Sequence, residues 1–561
     1  MAKTSTPFFE VNFQDYEHQS PWVRPGRPWE KLYVEGVPKT VRYPEIPLHY
    51  LGRETARKYP HNLAIYSIQD QRKYTYLELM HYSDRIAAGL SDLGVKKGDG
   101  VGLYMINSPE FIFSVYGISQ TGAVIVPLNP MLKAPDIEHI ARDSGILKTV
   151  ICSSIFQPIV EQAGKEIPIE HIIVHGQKSG KAISLEDLIE NHPARPPVVE
   201  INPREDLCVL LYTGGTTGAP KGVMITHYNL TSNVFQMEAY EVNFQGDEDI
   251  KVSSIDVLPM CHSFGFSQVQ LKISLGTLMM LYNGFNPEQI MQTIEMYQAE
   301  SFIGIPLMFQ MLINDPSFGK HDLSSLEMVV SGAAPLPGEL ARKWKEMVGS
   351  SVGQGYGLSE TSPATHMKPT WLDLGPASIG IPLVDTDAKI VDPETRSREL
   401  PPGEIGELAI RGPQVMKGYW KQESKTGETI VDGWLYTRDL AYMDEQGCFY
   451  ISGRQTDMIK YKGYKVLPDE VEDSLHNHPA VLECAVIGLP DPQIGETIKA
   501  YIVIREDFKG KISEQDLIDW AKKEMAGYKW PRLVEFIDRV PRTAVGKVFR
   551  RALREMESKR S

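Results

Sequence analysis

Hydrophobic and polar positions along the chain follow two patterns, one with the period of a helix and one made of short apolar runs. The clearest helical pattern covers residues 76–93, and Gly94 follows it as a stop signal. Thr75 and Glu78 have the spacing of a capping box at its start. Its apolar face consists of four aliphatic residues: Leu79, Ile86, Leu90 and Leu93. The pattern therefore predicts one helix that ends at the glycine.

Short apolar runs bounded by turn residues predict buried strands between the helical segments. Runs of this kind lie at residues 101–105, 123–127, 207–211 and 223–226. Because helical and strand patterns alternate for most of the length, the chain is predicted to be an α/β protein. Its 561 residues exceed what one compact core holds, so several structural units are expected.

The pattern changes past residue 450. The predicted elements there are a helix from Pro468, strands at 481–488 and 498–504, a helix at 513–530 and a strand at 533–537. This order predicts a compact α+β unit of roughly 100 residues, the size of a small domain. Residues 452–457 between the two parts are short and polar, which favours a hinge over a flexible linker. We therefore divide the chain into residues 1–453 and 454–561.

Composition and charge narrow the class of protein. Apolar residues make up 42% of the chain and charged residues 23%, the balance of an ordinary globular protein. The formal net charge of -14 opposes general nucleic-acid binding, because it repels a polyphosphate backbone at long range. The negative net charge does not exclude small anionic substrates, because a few lysines in a cleft create a locally positive potential.

The cysteines and the apolar runs indicate in which cellular compartment the protein is expected. The five cysteines lie far apart without CxxC spacing, which favours a reducing environment over a zinc site or a disulfide framework. Residues 1–20 lack the basic-then-apolar pattern of a signal peptide. The most apolar later run, residues 269–282, is short and contains Lys272, so no transmembrane helix is expected. We predict a soluble, cytoplasmic protein, and contact with a membrane surface stays open.

The strongest local signal for chemistry is the Gly- and Thr-rich segment at residues 212–222. Its four glycines allow positive φ and a close approach to phosphate, while threonine hydroxyls and a lysine supply donors. Pro220 before the lysine and Gly222 after it exclude a Walker A loop. A hairpin turn is the alternative, but a turn does not need three threonines and a lysine. The predicted phosphate-binding residues are Thr213, Gly214, Gly215, Thr216, Thr217 and Lys221.

This segment resembles the nucleotide-binding signature of the adenylate-forming superfamily, which contains acyl- and aryl-CoA synthetases, luciferases and the adenylation domains of peptide synthetases. Six further segments resemble motifs of that family in the same order: residues 258–265, 331–336, 354–361, 436–439, 453–466 and 541–547. The resemblance spans nearly the whole chain. It implies a large multi-layer N-terminal domain of packed α/β sheets with a small β-barrel, followed by a small mobile α+β lid domain.

The resemblance also implies which residues bind ATP and AMP. Glu360 is an anionic oxygen ligand suited to Mg²⁺, although an isolated loop acid is more often only solvated. Asp439 offers two oxygens to the ribose hydroxyls, and Arg454 offers a donor fork to the ribose or the phosphates. Lys547 would bridge the carboxylate and the α-phosphate as oxygen attacks phosphorus. The other nucleotide-binding positions are Gly332, Ala333, Gln354, Gly355, Tyr356 and Ser359.

A second group of residues is assigned by the resemblance to the acid and to coenzyme A. His262 would be a catalytic gate beside the acid carboxylate, the alternative being a satisfied core histidine. Phe264 and Gly355, with His262, would line the acyl pocket. Once the acyl adenylate has formed, the lid would turn about a hinge at Thr456, and the CoA thiolate would displace AMP. The turn would bring three residues over the pantetheine channel: Lys460, Lys462 and Gly463.

Two positions depart from the family pattern. The usual Thr-Gly-Asp appears here as Thr437, Arg438 and Asp439, so a left-handed backbone at the middle position would be strained by a Cβ. The hinge position, commonly Lys or Asp, is Thr456, although Asp457 follows it. These two changes leave the expected reaction unchanged. They are expected to affect its rate and the equilibrium between the two orientations of the lid domain.

Within the superfamily, the chain resembles fatty-acid–CoA ligases most, on residues 412–420, 527–529 and 43–48. The resemblance implies ATP, Mg²⁺ and coenzyme A as partners, with a medium- or long-chain fatty acid as substrate. Aryl and short hydroxy acids come next, because residues 461–464 are shared with plant-type aryl ligases. Amino-acid activation is less favoured, because residues 262–264 lack an Asp for an α-ammonium group. Two other functions are not excluded by the sequence: a luciferase-type oxygenase and a non-catalytic protein that binds a nucleotide or an acyl group. The sequence also allows a homo-oligomer.

Overall fold

The structure is a computed structural model, and it describes most of the chain. The residues described are 8–9, 11, 20–34, 36–213, 220–240, 252–369, 372, 374–375, 378–542 and 548–560. The α-helices in them are α1 His49–Lys58, α2 Tyr76–Asp92, α3 Pro109–Thr121, α4 Ala134–Ser144, α5 Gln157–Ala163, α6 Leu185–Asn191, α7 His227–Glu238, α8 Ser263–Leu275, α9 Pro287–Tyr297, α10 Pro306–Asn314, α11 Gly338–Val348, α12 Glu423–Thr429, α13 Pro468–His476, α14 Glu514–Glu524 and α15 Arg550–Ser558. Single 3-10 turns lie at Pro28–Lys31, Ser154–Phe156, Ser359–Thr361 and Glu506–Phe508.

The strands form three sheets. In chain order the strands are β1 Leu63–Ser67, β2 Arg72–Thr75, β3 Gly100–Tyr104, β4 Val124–Pro127, β5 Leu147–Ser153, β6 His171–His175, β7 Ile183–Ser184, β8 Leu207–Thr213, β9 Lys221–Thr226, β10 Ser253–Asp256, β11 Leu278–Leu281, β12 Ser301–Gly304, β13 Met328–Ser331, β14 Val352–Gly357, β15 Ala364–Met367, β16 Ser378–Pro382, β17 Asp387–Val391, β18 Gly406–Arg411, β19 Gly418–Tyr419, β20 Ile430–Val431, β21 Trp434–Met443, β22 Phe449–Arg454, β23 Ile459–Tyr461, β24 Tyr464–Val466, β25 Val481–Asp491, β26 Gly495–Ile504 and β27 Leu533–Phe536.

The first sheet joins a parallel part to an antiparallel part. Its strand order is β17-β18-β21-β22-β16-β15-β14-β13-β12-β10-β11-β1-β2, with β20 paired to β21. Strands β14, β13, β12, β10, β11 and β1 run parallel to one another. Strands β15, β16, β17, β18, β21 and β22 pair antiparallel, and their hydrogen bonding continues through β14 into the parallel strands. The small barrel implied by the resemblance stays a prediction.

The second sheet has the order β19-β9-β8-β4-β3-β5-β6-β7 and is parallel from β8 to β7. Helix α3 is buried at every position, and α7 and α8 are buried at most of theirs. A helix that is buried all round lies between layers. These helices therefore belong to the largest core, which also takes in side chains of both sheets.

The third sheet belongs to the C-terminal part of the chain. Its order is β24-β23-β26-β25, and β27 pairs parallel to β26. Helices α13 and α14 cover it through an apolar core of its own, formed by residues between Ile459 and Val534. The predicted order of helices and strands in this α+β unit is confirmed.

The local predictions agree with the structure to within a few residues at element ends. Thr75 and Glu78 form a reciprocal capping box on α2, and Gly94 has a φ of 87°. Residues 452–454 of the predicted hinge lie in β22, so the loop between the two parts consists of residues 455–458. No helix among the described residues is long and apolar enough to cross a membrane.

Candidate functional site

The Gly- and Thr-rich segment joins two antiparallel strands. Thr213 ends β8 and pairs with Lys221 at the start of β9. The segment is therefore held at both ends by one strand pair, as the flanking apolar runs predicted. Four of its predicted phosphate-binding residues, Gly214, Gly215, Thr216 and Thr217, lie outside the described residues.

Lys221 lies beside an aromatic ring and close to a carboxylate. Its Nζ is 5.2 Å from the ring centroid of Tyr419, and the Tyr419 hydroxyl donates to Oε1 of Glu360 at 2.9 Å. Burial lowers the pKa of Lys221, and the positive charges of Lys425 and Arg438 lower it further, against the opposing effect of Glu360 and Glu428. Lys221, predicted to bind phosphate, and Glu360, predicted to bind Mg²⁺, therefore both contact Tyr419.

Glu360 is positioned by the turn between two antiparallel strands. It lies in the 3-10 turn Ser359–Thr361, which connects β14 to β15. Its backbone carbonyl accepts from the amide of Met416 at 2.9 Å, and the Tyr419 bond orients the side chain. One carboxylate oxygen is thus held by a neutral donor, and the second oxygen supplies further lone pairs for a hard cation.

Asp439 is buried and its two oxygens have different partners. The Tyr356 hydroxyl donates to Oδ2 at 2.6 Å, while Nε of Arg454 lies 3.1 Å from Oδ1. Burial and the Asp439 charge raise the pKa of Tyr356 well above its ordinary value, so the phenol stays a donor. Attraction to Asp439 also raises the pKa of Arg454. Three predicted nucleotide-binding residues on β14, β21 and β22 therefore meet.

Ser331, at the carboxyl end of β13, and Gln354, its neighbour on β14, carry buried polar atoms. Ser331 pairs with Gln354 in register, and both side chains are at most 5% exposed. Neither the Ser331 hydroxyl nor Oε1 of Gln354 has a hydrogen-bond partner among the described residues. Ligands of open α/β sheets bind at this edge. Because a buried polar atom without a partner costs free energy, these two atoms mark a place where a ligand would bond.

The segment that follows β13 contacts the predicted acyl-pocket wall. A Cβ built on Gly332 would lie 2.7 Å from Cζ of Phe264, so the Phe264 ring packs directly on this glycine. Ala333 next to it has a φ of 66°. The predicted pocket residue Gly355 has Val330 as its nearest neighbour, at 3.9 Å from a built Cβ.

His262 is the N-cap of α8. Its Nδ1 accepts from the backbone amide of Phe264 at 3.3 Å. The hydroxyl of the next residue, Ser263, lies 3.3 Å from that of Ser359. The gate segment therefore contacts the turn that carries Glu360, and the capping bond gives His262 a structural role in addition to the predicted one.

Arg438 has a left-handed backbone, with a φ of 61°, the conformation that a Cβ strains. Its amide donates to Oε1 of Glu407 at 3.0 Å, and the buried Glu407 forms two bonds with Arg396 of 2.7 and 2.9 Å. This network stabilises a backbone conformation that normally favours glycine.

The predicted hinge residue Thr456 is exposed, whereas its neighbour Asp457 is buried. Asp457 lies 3.7 Å from Arg550 and 3.1 Å from Arg554, both on α15. The end of the hinge loop is thereby held by the C-terminal helix. Lys547, which precedes that helix, lies outside the described residues.

The predicted CoA-side residues form the tip of a hairpin. Strands β23 and β24 are joined by Lys462 and Gly463, whose φ values are 49° and 82°. Positive φ at both positions is typical of the tight turn that matches strand twist. Lys460, Lys462 and Gly463 are exposed. Lys465 of the same hairpin forms an ion pair of 2.8 Å with Glu394 in the large domain.

Sequence reasoning missed several members of this site. Tyr419 lies in a segment that served only to recognise the family, and its contact with Glu360 is not visible in any local pattern. The ion pair between Lys425 and Glu428 on α12, 3.0 Å long, lies near Lys221. The support of Arg438 by Glu407 was also missed. The Tyr419–Glu360 and Arg438–Glu407 contacts join segments far apart in the chain, whereas Lys425 and Glu428 are neighbours on one helix.

Comparisons with known sequences give a consistent result. Residues 52–420 match the sequence model of the AMP-binding enzyme family, and residues 470–547 match that of the AMP-binding enzyme C-terminal domain. The chain is 34% identical over 560 residues to a long-chain-fatty-acid–CoA ligase of Bacillus subtilis (strain 168), which covers 95% of this chain and 98% of that protein. It is also 34% identical over 506 residues to a feruloyl-CoA synthase of Amycolatopsis sp, which covers 89% and 96%.

Solved structures have the same architecture. The crystal structure of ATP-bound MatB from Rhodopseudomonas palustris matches with a TM-score of 0.83 and 30% identity, and the match covers 91% of this chain and 99% of that one. The anthranilate CoA ligase AuaEII in complex with anthranoyl-AMP matches with a TM-score of 0.82 and 29% identity, over 92% and 98% of the two chains. The chain therefore belongs to the AMP-binding enzyme family, within the adenylate-forming superfamily.

Proposed function

We propose that this protein is an AMP-forming acid–CoA ligase. It activates a carboxylic acid with MgATP as an acyl adenylate and passes the acyl group to coenzyme A, with release of pyrophosphate and AMP. The observation that carries the proposal is the meeting of Tyr356, Asp439 and Arg454, at 2.6 and 3.1 Å, in a chain that belongs to a family of adenylate-forming enzymes.

The nucleotide is bound through its ribose and its phosphates. Asp439 keeps lone pairs beyond those used by Tyr356 and Arg454, and these accept from the ribose hydroxyls. Lys221 supplies a positive charge to the phosphates. The unpartnered atoms of Ser331 and Gln354 support a polar ligand at the same sheet edge. Thr213, Gly332, Ala333 and Ser359 line this region.

Magnesium enters with ATP as part of the substrate. Glu360 fits it, because a carboxylate oriented by the Tyr419 hydroxyl is a hard oxygen ligand, and Mg²⁺ keeps waters and substrate phosphates as its other ligands. The ion neutralises phosphate charge during displacement. Lys547 stabilises the charge that builds up as the carboxylate oxygen attacks the α-phosphorus.

The acid is a medium- or long-chain fatty acid. Relatives named long-chain-fatty-acid–CoA ligase, at 32–34% identity over 86–95% of this chain, support this choice. The acid chain lies against Phe264, with Gly332 and Gly355 leaving room beside it and His262 next to the carboxylate. An aryl acid is the second candidate, because a relative named feruloyl-CoA synthase matches at the same 34% identity.

The second half-reaction uses the small C-terminal domain, which we place at residues 454–561. The domain turns about Thr456 and brings the β23–β24 hairpin, with Lys460, Lys462 and Gly463, over the channel that admits the pantetheine arm. The thiolate of CoA then attacks the acyl carbon and AMP leaves. The exposed hairpin tip and its two lysines support a contact with an anionic cofactor.

The test measures pyrophosphate release with MgATP across fatty acids of graded chain length and a set of aryl acids, each with and without CoA. We expect turnover to peak at one chain length and to need CoA, with the thioester as product. Lys547→Ala should lower the rate of adenylate formation by at least about a hundredfold, since oriented charge stabilisation of a transition state has that weight. Lys559→Ala is the matched control at a lysine of the C-terminal helix end.

Three outcomes would contradict parts of the proposal. Adenylate formation without a thioester in the presence of CoA would point to another acceptor or to oxygen chemistry. Activity confined to aryl acids would replace the fatty-acid assignment. No pyrophosphate with any acid, together with ATP binding, would favour the non-catalytic binder.

A further inference from the structure

Arg438 stands where the family pattern has glycine, and its backbone is held on both sides. Its amide donates to Glu407 at 3.0 Å, and its carbonyl accepts from the amide of Gln455 at 3.0 Å. Glu407 has no exposed side-chain area and is paired with Arg396. The left-handed backbone at this position is therefore supported by buried groups, independently of the Arg438 side chain.

The Arg438 side chain lies beside helix α12, which carries further charged residues. Its Nη2 lies 4.0 Å from Oε2 of Glu428, and Glu428 also pairs with Lys425 at 3.0 Å. Tyr419 links this group to Lys221 and Glu360: its amide donates to Oγ1 of Thr426 on α12 at 2.9 Å, its ring centroid lies 5.2 Å from Nζ of Lys221, and its hydroxyl donates to Glu360 at 2.9 Å. Burial lowers the pKa of Lys221, and the positive charges of Lys425 and Arg438 lower it further. We call these five residues the charge cluster: Lys221, Glu360, Lys425, Glu428 and Arg438.

The charge cluster has more positive than negative groups, and its arginine is only weakly paired. An ion-pair distance of 4.0 Å is too long for a hydrogen bond, so the donor fork of Arg438 is not satisfied by Glu428. A guanidinium fork matches the oxygens of a phosphate group and binds them through two parallel hydrogen bonds. Phosphate oxygens would offer Arg438 stronger acceptors than the partly exposed Glu428 does.

We propose that Arg438 binds the β- and γ-phosphates of ATP, the pair that leaves as pyrophosphate, together with Lys221. Arg438 exchanges its long ion pair with Glu428 for these phosphates. It thus acts as a binding residue for the triphosphate end of the nucleotide and makes no contact with the AMP part. This inference rests on the proposed use of ATP. It gives the triphosphate a binding side chain at a position where the family pattern has glycine, which has none.

The test compares equilibrium binding of MgATP, magnesium pyrophosphate and AMP to the full-length protein by titration calorimetry. Arg438→Gly is the main variant, because glycine adopts a φ of 61° without strain and keeps the backbone bonds to Glu407 and Gln455. We expect the affinities for ATP and pyrophosphate to fall about tenfold, the weight of one charge-assisted contact, and the affinity for AMP to change less than about twofold. Arg438→Lys should give an intermediate loss.

A second variant, expected to raise the affinity for ATP, distinguishes phosphate binding by Arg438 from an effect on folding. Glu428→Gln removes the carboxylate that competes for Arg438 and should raise the affinity for ATP by about two- to threefold, more at low salt than at high salt. Arg398→Gly is the matched control, since Arg398 is exposed, has an ion pair of similar length, 3.9 Å to Glu404, and lies outside the charge cluster. It should leave all three affinities unchanged.

Two results would overturn the inference. An equal loss of ATP and AMP affinity in Arg438→Gly would place its effect in the backbone or ribose region, and unchanged pyrophosphate affinity would mean that the side chain does not contact phosphate. Failure of the proposed function has a different signature. In that case the wild-type protein would bind ATP, with the Arg438 effect present, and release no pyrophosphate with any acid.

Discussion

At the scale of single residues, the candidate site consists of carboxylates that protein donors hold in place. Asp439 is held by Tyr356 and Arg454, and Glu360 by Tyr419. A carboxylate oriented in this way loses little freedom when a ligand binds, which is the main gain from such preorganisation. The donors therefore matter for nucleotide affinity even where they do not contact the nucleotide.

Tyr356→Phe removes the hydroxyl that donates to Asp439 at 2.6 Å. We expect the affinities for ATP and AMP to fall together by about fivefold, because both carry the ribose and the lost hydrogen bond is worth about 1 kcal/mol. Calorimetric titration of both nucleotides checks this. Tyr450→Phe is the control, since Tyr450 lies on β22 and its hydroxyl donates at 3.1 Å to Asp444, in the turn between β21 and β22. A loss confined to ATP would contradict the ribose assignment.

Gly332→Ala places a methyl group 2.7 Å from the end of the Phe264 ring. The ring must move, and because Phe264 is proposed to border the acid site we expect the preferred fatty acid to become shorter. Turnover across a chain-length series measures the change. The double variant Gly332→Ala/Phe264→Leu should restore the original preference, because leucine frees the space. A parallel loss for every acid would mean that the contact only supports the fold.

At the scale of elements, helix caps are the features that local sequence specifies most directly. Thr75 caps α2 in the large domain and Ser513 caps α14 in the small domain, each through a reciprocal bond with the third helical residue. Both caps lie at the surface and away from the candidate site. They are therefore matched probes of the two parts of the chain.

Thr75→Ala and Ser513→Ala should each cost about 1 kcal/mol of the stability of the part that contains the cap. If the two parts unfold separately, Thr75→Ala lowers one thermal transition and Ser513→Ala lowers the other. Differential scanning calorimetry at a fixed scan rate measures both. A single transition shifted equally by both variants would show instead that the domains unfold as one unit.

At the scale of the whole molecule, buried neutral histidines connect layers of the large domain. Nδ1 of His227, in α7, accepts from the amide of Leu48 before α1 at 3.1 Å. Burial lowers the pKa of His227 to about 4 and that of His366 to about 3. In the unfolded chain both take up a proton near the ordinary value of about 6.5, so protonation favours unfolding below that pH.

The destabilisation caused by His227 is small above pH 6.5 and grows as the pH falls toward 4. The unfolded state binds more protons than the folded state in this window, so stability is lost as the pH falls, by about 2 kcal/mol at pH 5 for this residue. His227→Gln keeps an acceptor for Leu48 and should reduce the loss between pH 7.5 and 5. Denaturant unfolding at both pH values measures it. Equal pH dependence of wild type and variant would contradict the prediction.

Much of the fold was accessible from local patterns. The capped helix α2, strands β3 and β4, the β8–β9 pair and the order α13, β25, β26, α14, β27 follow from periodicity and turn residues, whereas β23, β24 and α15 were not predicted. Motif resemblance predicted that Asp439, Glu360 and Lys221 belong to one site, and it identified Arg438, whose φ is 61°, as a position that a left-handed backbone would strain. Gly214 to Thr217 and Lys547 lie outside the described residues, and their roles stay predictions.

The sequence alone determines the helices, the strands and the helix caps, because each depends on neighbours within about one helical turn or on alternate positions of one strand. It also decides the family, through motifs that each lie in a short segment. Only the tertiary structure decides which carboxylate meets which donor. Tyr356 and Asp439 are 83 residues apart, and Tyr419 and Glu360 are 59 apart. Such pairs are set by sheet order and packing, and no local period encodes them.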